Sequence, residues 1–421
     1  MIAPKYILLL AGLLVLPASA ALTPDEQKLA ALVDAQSATF ATDLEAAIKI
    51  DSATENLAGV RQMGEHFARQ LAELGFESRF VELPAATGRA GHLVAEHKGT
   101  KGKRVLLIGH LDTVYPGANW RREGDTVHGA GVADMKGGDV VILAALRALH
   151  AAGALEGAQI IVIMTGDEEA VGSPVAVTRR DLFDAAKRSD VALAFESAIG
   201  HTGTVARRGS ASWELEVQGV TGHSSGIFSA AMGSGAVFEL ARILEGFRRE
   251  LQPLDGLTIS PALVVAGVEA ELGRTGGTAS GKTNIIPQRA VVRGDLRTVS
   301  AEQLAEAEQR MQAVTRANLP RTSAVLKFDE RYPAMAPTAA NYALLAQLDQ
   351  ASRDLGLGEI TAFDPRGRGA GDIAFVSPPL PGLDGLGLDG PGQHTTHEAG
   401  DLKQAPELVK RAAVLIHRLT R

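Results

Sequence analysis

Apolar positions recur along this chain in two rhythms. In "TENLAGVRQMGEHFARQLAELGF" (54–76) they fall at helical spacing and stop at Gly75, which predicts a helix. Nearly continuous apolar runs follow: "RVLLIGHLD" (104–112), "QIIVIMTG" (159–166) and "VALAFES" (191–197). Runs without polar alternation predict strands buried on both faces. Between the first two, "KGGDVVILAALRALHAAG" (136–153) predicts a helix closed by glycine. Strands alternating with helices give an α/β class, a mostly parallel sheet flanked by helices.

From about 207 to 332 the rhythm changes. "SWELEVQGV" alternates as a half-buried strand, and "GSGAVFELARILEGFRREL" predicts a helix. "TISPALVVAGVEA" and "RAVVRGDLRTV" predict strands, "SAEQLAEAEQRMQAVTRA" a helix and "SAVLKFDE" a strand. The order β-α-β-β-α-β is that of a split βαβ, ferredoxin-like unit. It lies inside the chain, so the first domain is interrupted and resumes near 333, ending in the predicted helix "LKQAPELVKRAAVLIHRLTR". The expected division is a leader over 1–20, a catalytic domain over 21–206 and 333–421, and an inserted α+β domain over 207–332. A length of 421 residues fits more than one core.

Composition narrows the partners. A formal net charge of −7 and the lack of a basic stripe argue against nucleic acid. No cysteine is present, which rules out disulfides and thiolate metal sites. The start, "MIAPKYILLLAGLLVLPASA", has one lysine, an apolar stretch from Tyr6 to Leu16 and small residues before Ala20. That is the pattern of a cleavable secretory signal, cut after Ala20. Its apolar run is shorter than the roughly 20 residues a membrane span needs. The expected location is therefore secreted or periplasmic, with no membrane partner once the leader is removed.

Three buried runs end in polar groups. In an open parallel sheet, ligands sit beyond the carboxyl ends of the strands. "LLIGHLDTV" ends in His110 and Asp112, two apart and so on one side of a strand. "MTGDEEAVGS" brings Asp167, Glu168 and Glu169 together, and "VALAFES" ends in Glu196. Three adjacent carboxylates repel one another unless a positive charge lies among them. Two loops contribute more: Asp134 in "HGAGVADMKGG", and His394 and His397 in "PGQHTTHEAGD". The glycine-rich loop lacks the Gly-Lys-Ser/Thr of a phosphate site and puts an acid where a phosphate would be repelled. Histidine and carboxylate ligands without cysteine suit zinc, with manganese or cobalt as substitutes. A pair of ions about 3.5–4 Å apart is a common arrangement for hydrolysis.

Taken in order, "GHLDTV", "GAGVADMKGG", "TGDEEAVGS", "FES" and "GQHTTHE" resemble the signatures of the dinuclear zinc hydrolases that include glutamate carboxypeptidase, aminoacylase, acetylornithine deacetylase and succinyl-diaminopimelate desuccinylase. The resemblance implies two zinc ions: His110 and Glu196 on one, Glu169 and His394 on the other, Asp134 bridging. It implies Glu168 as general base, Asp112 as the group orienting His110, and a cis peptide at Asp134–Met135. His394 is favoured over His397 because the family pattern places a Glu four after the ligand, here Glu398. Asp167 reads as a turn residue before the functional pair. The inserted domain would serve as lid and homodimer interface. His223 in "GVTGHSSG" resembles the histidine that crosses to the partner's site to stabilise an oxyanion. Asn284 in "TNIIPQ" and Arg297 in "RGDLRT" match substrate-binding positions, Arg297 on a free α-carboxylate. Gly371 in "GAGDIAF" matches the point where backbone approaches that carboxylate.

The activity implied is that of a metallocarboxypeptidase cutting an amide bond next to a free α-carboxylate of a small peptide, with glutamate as leaving residue on resemblance alone. Glu rather than Asp at 196 favours this branch. An N-acyl-amino-acid deacylase is the nearest rival. A zinc-containing binding protein without turnover is disfavoured, since it would have no reason to keep Glu168 with five ligands.

Overall fold

A six-stranded sheet forms the frame in the computed structural model, which describes residues 22–273, 275–377 and 379–421; the expected leader lies outside them. The strands run in the order Glu77–Glu82, Gly91–His97, Ala158–Thr165, Lys101–His110, Val191–Ala194, Gly382–Leu383. The last four are mutually parallel, and only Gly91–His97 runs against its neighbours. Val105 and Leu107 pack into one core while Leu106 and Ile108 pack into another on the opposite face. Both faces are buried, which is why these strands lack polar alternation.

The helix Lys136–Ala152 covers one face together with Ala405–Thr420. It ends at Gly153 in the left-handed region, as its glycine stop predicts. Two N-terminal helices that the periodicity did not reveal, Pro24–Ala35 and Ser37–Ile48, pack on the same helix. The first starts from a capping box at Thr23 and Glu26.

The insert has four antiparallel strands in the order Thr258–Gly267, Arg289–Thr298, Gly209–Gln218, Ser323–Tyr332. The helices Gly235–Leu251 and Ala301–Arg316 pack on this sheet, with Trp213 edge-on to Phe247 in its core. This is the ferredoxin-like order. The run "TISPALVVAGVEA" does not form one strand: it breaks after Gly267, and Glu269–Leu272 turns into a hairpin with Gly277–Ser280. Where the chain enters and leaves the insert, Arg207 and Met335 exchange two backbone hydrogen bonds of 3.0 Å. Among the described residues, no helix is long and apolar enough to cross a membrane.

Candidate metal centre

Strand register brings three of the ligand-bearing segments together. His110 pairs with Thr165 and Ile108 with Ala194, so the residues after three parallel strands emerge at one edge of the sheet. Gly138 lets the neighbouring helix come close: a Cβ there would lie 1.9 Å from the carbonyl oxygen of Phe195, next to Glu196.

Asp134 stands at the middle. Its Oδ1 is 3.3 Å from His110 Nε2 and its Oδ2 is 3.0 Å from His394 Nε2, so one carboxylate faces both imidazoles. His394 Nε2 is also 3.3 Å from Glu169 Oε2, and His110 Nε2 is 3.8 Å from Glu196 Oε1. Potential ligand atoms of His110, Glu168 and Glu196 lie within 4.8 Å of one another, as do those of His110, Asp134 and Glu169. The peptide Asp134–Met135 is cis, and His394 has a φ of 58°, uncommon outside glycine.

The charges explain the crowding. Burial raises the Glu168 carboxyl well above the usual range, and neighbouring Glu196 adds to it. Burial pushes Glu169 up to about 7, against a hydrogen bond from His394, and Glu196 up to about 8, against Arg207. Burial would raise Asp134 too, but hydrogen bonds from His110 and His394 outweigh it and hold it low. Hydrogen bonds to Asp134 and Glu169 push His394 up to about 11. Without cations Glu168, Glu169 and Glu196 are drawn towards their protonated forms and His394 stays charged, while Asp134 stays ionised; divalent cations would displace those protons. The donor set, two imidazoles and three or more carboxylates without thiolate, fits a pair of such ions.

Asp112 meets His110 through its backbone. The His110 Nδ1–H donates to the Asp112 backbone carbonyl at 3.0 Å, whereas the carboxylate is 3.6 Å away. That carboxylate accepts from the N–H groups of Glu168 (3.0 Å) and Glu169 (3.1 Å) and from the Thr54 hydroxyl (2.7 Å). The Asp112 carboxylate thereby ties down the acidic turn.

Several supporting residues escaped the sequence reading. Glu398 accepts three backbone N–H groups, from Gly131, Ala133 and Asp134, each at 2.8 Å, and so shapes the Asp134 loop. Its spacing from His394 was its only visible signal. Asp167 is more than a turn residue: it is fully buried against Arg179, which also binds Asp372 at 2.9 Å. The Tyr332 hydroxyl donates to the Glu168 carbonyl. Arg207 is buried between Asp384 (2.6 Å) and Glu196 (3.8 Å).

Beside the carboxylates opens a cavity of about 400 Å³ whose wall includes Arg207, Arg297 and Arg368. Arg297 is half-buried, with Asp295 at 2.8 Å. The wall includes Gly369 and Ala370, whereas the site of a Cβ on Gly371 is filled by Arg207, 2.3 Å away. His223 and Asn284 do not line this cavity. They sit together at the edge of the insert, where Ser224 N–H donates to the Asn284 carbonyl at 2.9 Å, and the His223 ring is 2.8 Å from the Ser225 hydroxyl.

Residues 106–418 match the peptidase family M20/M25/M40. The chain belongs to that family. It is 28% identical over 402 residues to carboxypeptidase G2 of Pseudomonas sp., covering 92% of this chain and 90% of that protein. A succinyl-diaminopimelate desuccinylase of Alkalilimnicola ehrlichii is 28% identical over 384 residues, covering 85% and 92%. Among solved structures, aminopeptidase PepT of Bacillus cereus superposes with a TM-score of 0.70 at 17% identity, covering 91% and 98%. A dinuclear metal-binding M20 peptidase of Bacillus subtilis gives 0.62 at 15%, covering 92% and 99%. This M20 chain is thus a hydrolase of peptide or amide bonds, from a family that binds two metal ions.

Proposed function

We propose that this M20 hydrolase is a zinc-dependent metallocarboxypeptidase that cuts an amide bond next to a free α-carboxylate, with C-terminal glutamate the first leaving residue to test. The observation that supports this most is that Glu168, Asp134, His394 and Arg297 line one cavity, with His110 buried behind Asp134. His110 and Glu196 would hold one ion, Glu169 and His394 the other, and Asp134 would bridge; Co²⁺ or Mn²⁺ could replace zinc. Bound there, the ions would supply Lewis-acid polarisation and a more acidic water.

Each remaining task falls to a side chain. Glu168 takes the proton from the attacking water at its carboxylate and returns it to the departing nitrogen as the amide bond breaks. Asp112 and Tyr332 hold its peptide from both sides. Arg297 receives the substrate's α-carboxylate. His223 and Asn284, exposed together on the insert, would serve the site of a second copy in a homodimer formed through that domain. The leader reading makes the enzyme secreted or periplasmic.

The test is a panel of dipeptides and N-acyl-amino acids offered to the zinc-loaded protein, with released amine measured before and after chelation. Chelator-sensitive release from free-carboxylate peptides supports the proposal. Release from N-acyl-amino acids alone turns it into a deacylase, and no release with two zincs bound sinks it.

A further inference from the structure

One side chain ties the acidic turn to the far end of its own loop. His92, on the strand Gly91–His97, is fully buried, and both its ring nitrogens are engaged. Nδ1 accepts from the Gly166 N–H at 3.1 Å, and Nε2 lies 2.6 Å from the Thr178 carbonyl oxygen. A backbone N–H cannot accept and a carbonyl cannot donate. The ring therefore offers its Nδ1 lone pair and carries a proton on Nε2. Gly166 comes this close because it lacks a side chain: a Cβ there would lie 2.2 Å from the Gly91 carbonyl oxygen.

Gly166 and Thr178 bound the loop that carries Asp167, Glu168 and Glu169. Their neighbours meet as well, since Arg179 pairs with Asp167. His92 and Arg179 thus close the loop by two adjacent rungs. Asp112 and Tyr332 hold the backbone of Glu168 itself. His92 acts two residues earlier, where the turn leaves the strand Ala158–Thr165. We propose that His92 is a positioning residue for Glu168, acting through the acceptor at Nδ1. This rests on the reading of Glu168 as general base. Loss of that acceptor strands a buried N–H and frees the exit of the turn. A displacement of about 1 Å at a reacting group can cost about 100-fold in rate.

The experiment uses the zinc-loaded full chain with a peptide bearing a free α-carboxylate, and compares His92→Asn, His92→Gln and His92→Leu. Asparagine can set an amide oxygen where Nδ1 stands, glutamine an amide nitrogen near Nε2, and leucine restores neither. With kcat expressed per zinc-loaded molecule, His92→Asn should stay within about threefold of wild type, whereas His92→Gln should fall about tenfold and His92→Leu about 50-fold. KM should stay within about twofold throughout, since Arg297 and the cavity wall are untouched. Unchanged kcat in all three would overturn the proposal, as would a fall in His92→Asn as deep as in His92→Leu. Should the variants not fold, histidine nitrogen–proton correlation spectra of the wild type decide, the ring being identified by cross-relaxation with the Gly166 amide. Nε2–H with a bare Nδ1 is expected, and a proton on Nδ1 would overturn the proposal. Glu168→Gln, assayed alongside, separates the two readings. Full activity in it would overturn the base assignment, whereas an inactive Glu168→Gln beside undisturbed His92 variants would sink only the role of His92.

Discussion

The phenol of Tyr332, last residue of a strand of the insert, hydrogen-bonds to the backbone carbonyl of Glu168 in the catalytic domain. Asp112 grips the N–H of the same residue at 3.0 Å. The backbone of the expected base is therefore held at both its N–H and its C=O, one by each domain. Tyr332→Phe removes only the donor. It should lower kcat about five- to tenfold with KM nearly unchanged and metal content intact, as steady-state kinetics and metal analysis of one preparation would show. An unchanged kcat would mean that the contact is idle.

Glu168→Gln keeps size and hydrogen bonding but cannot accept a proton. Turnover should fall by about 10²–10⁴, the range typical of general acid–base catalysis, while two metals still bind. Retained activity would end its assignment as base.

Arg297→Ala should raise KM for substrates with a free α-carboxylate and leave the already poor cleavage of their α-amides unchanged. Comparing the two substrate forms across wild type and variant checks this. An equal loss on both would remove Arg297 from carboxylate binding.

The metal-free fold should depend on pH in one direction. Glu169 at about 7 and Glu196 at about 8 both lie above the ordinary glutamate value of 4.5. Between about pH 5 and 8 the folded state then binds more protons than the unfolded chain, so stability should fall as pH rises. His394, raised from 6.5 to about 11, pulls the same way. Urea titrations of chelated protein at pH 5, 6.5 and 8 would test the slope, and zinc should reverse it, because ligation displaces those protons. A chelated protein that gains stability across this range would contradict the burial account.

Arg179, fully buried between Asp167 and Asp372, should matter to folding more than to chemistry. Arg179→Met leaves two buried carboxylates facing nothing positive and should cost about 3–5 kcal/mol. Denaturant midpoints read that directly.

What the sequence made legible follows from what each feature depends on. The strands before His110, Asp167 and Glu196 could be read because burial on both faces leaves an uninterrupted apolar run. The expected ligands could be read because each ends such a run or sits in a glycine-rich loop. The first N-terminal helix hid because its fully buried apolar residues are only Leu29 and Val33, too sparse a stripe. Glu398, Arg179 and Arg368 take their meaning from partners more than 10 residues away, and nothing near them in sequence marks those partners. Asp167 was misread for the same reason: adjacency to Glu168 and Glu169 suggested a turn, while its partner Arg179 lies 12 residues on, between the helices Val175–Thr178 and Arg180–Lys187.

Arg207 and Met335 lie side by side where the polypeptide leaves the catalytic sheet and where it returns. The chain thus passes into and out of the insert at one place, while the strands Val191–Ala194 and Gly382–Leu383 on either side of it in sequence pair directly in the sheet. Such an attachment lets the outer edge of the insert, with its exposed His223 and Asn284, vary in shape without re-laying the strands below. One chemical engine can then be fitted to new substrates from above.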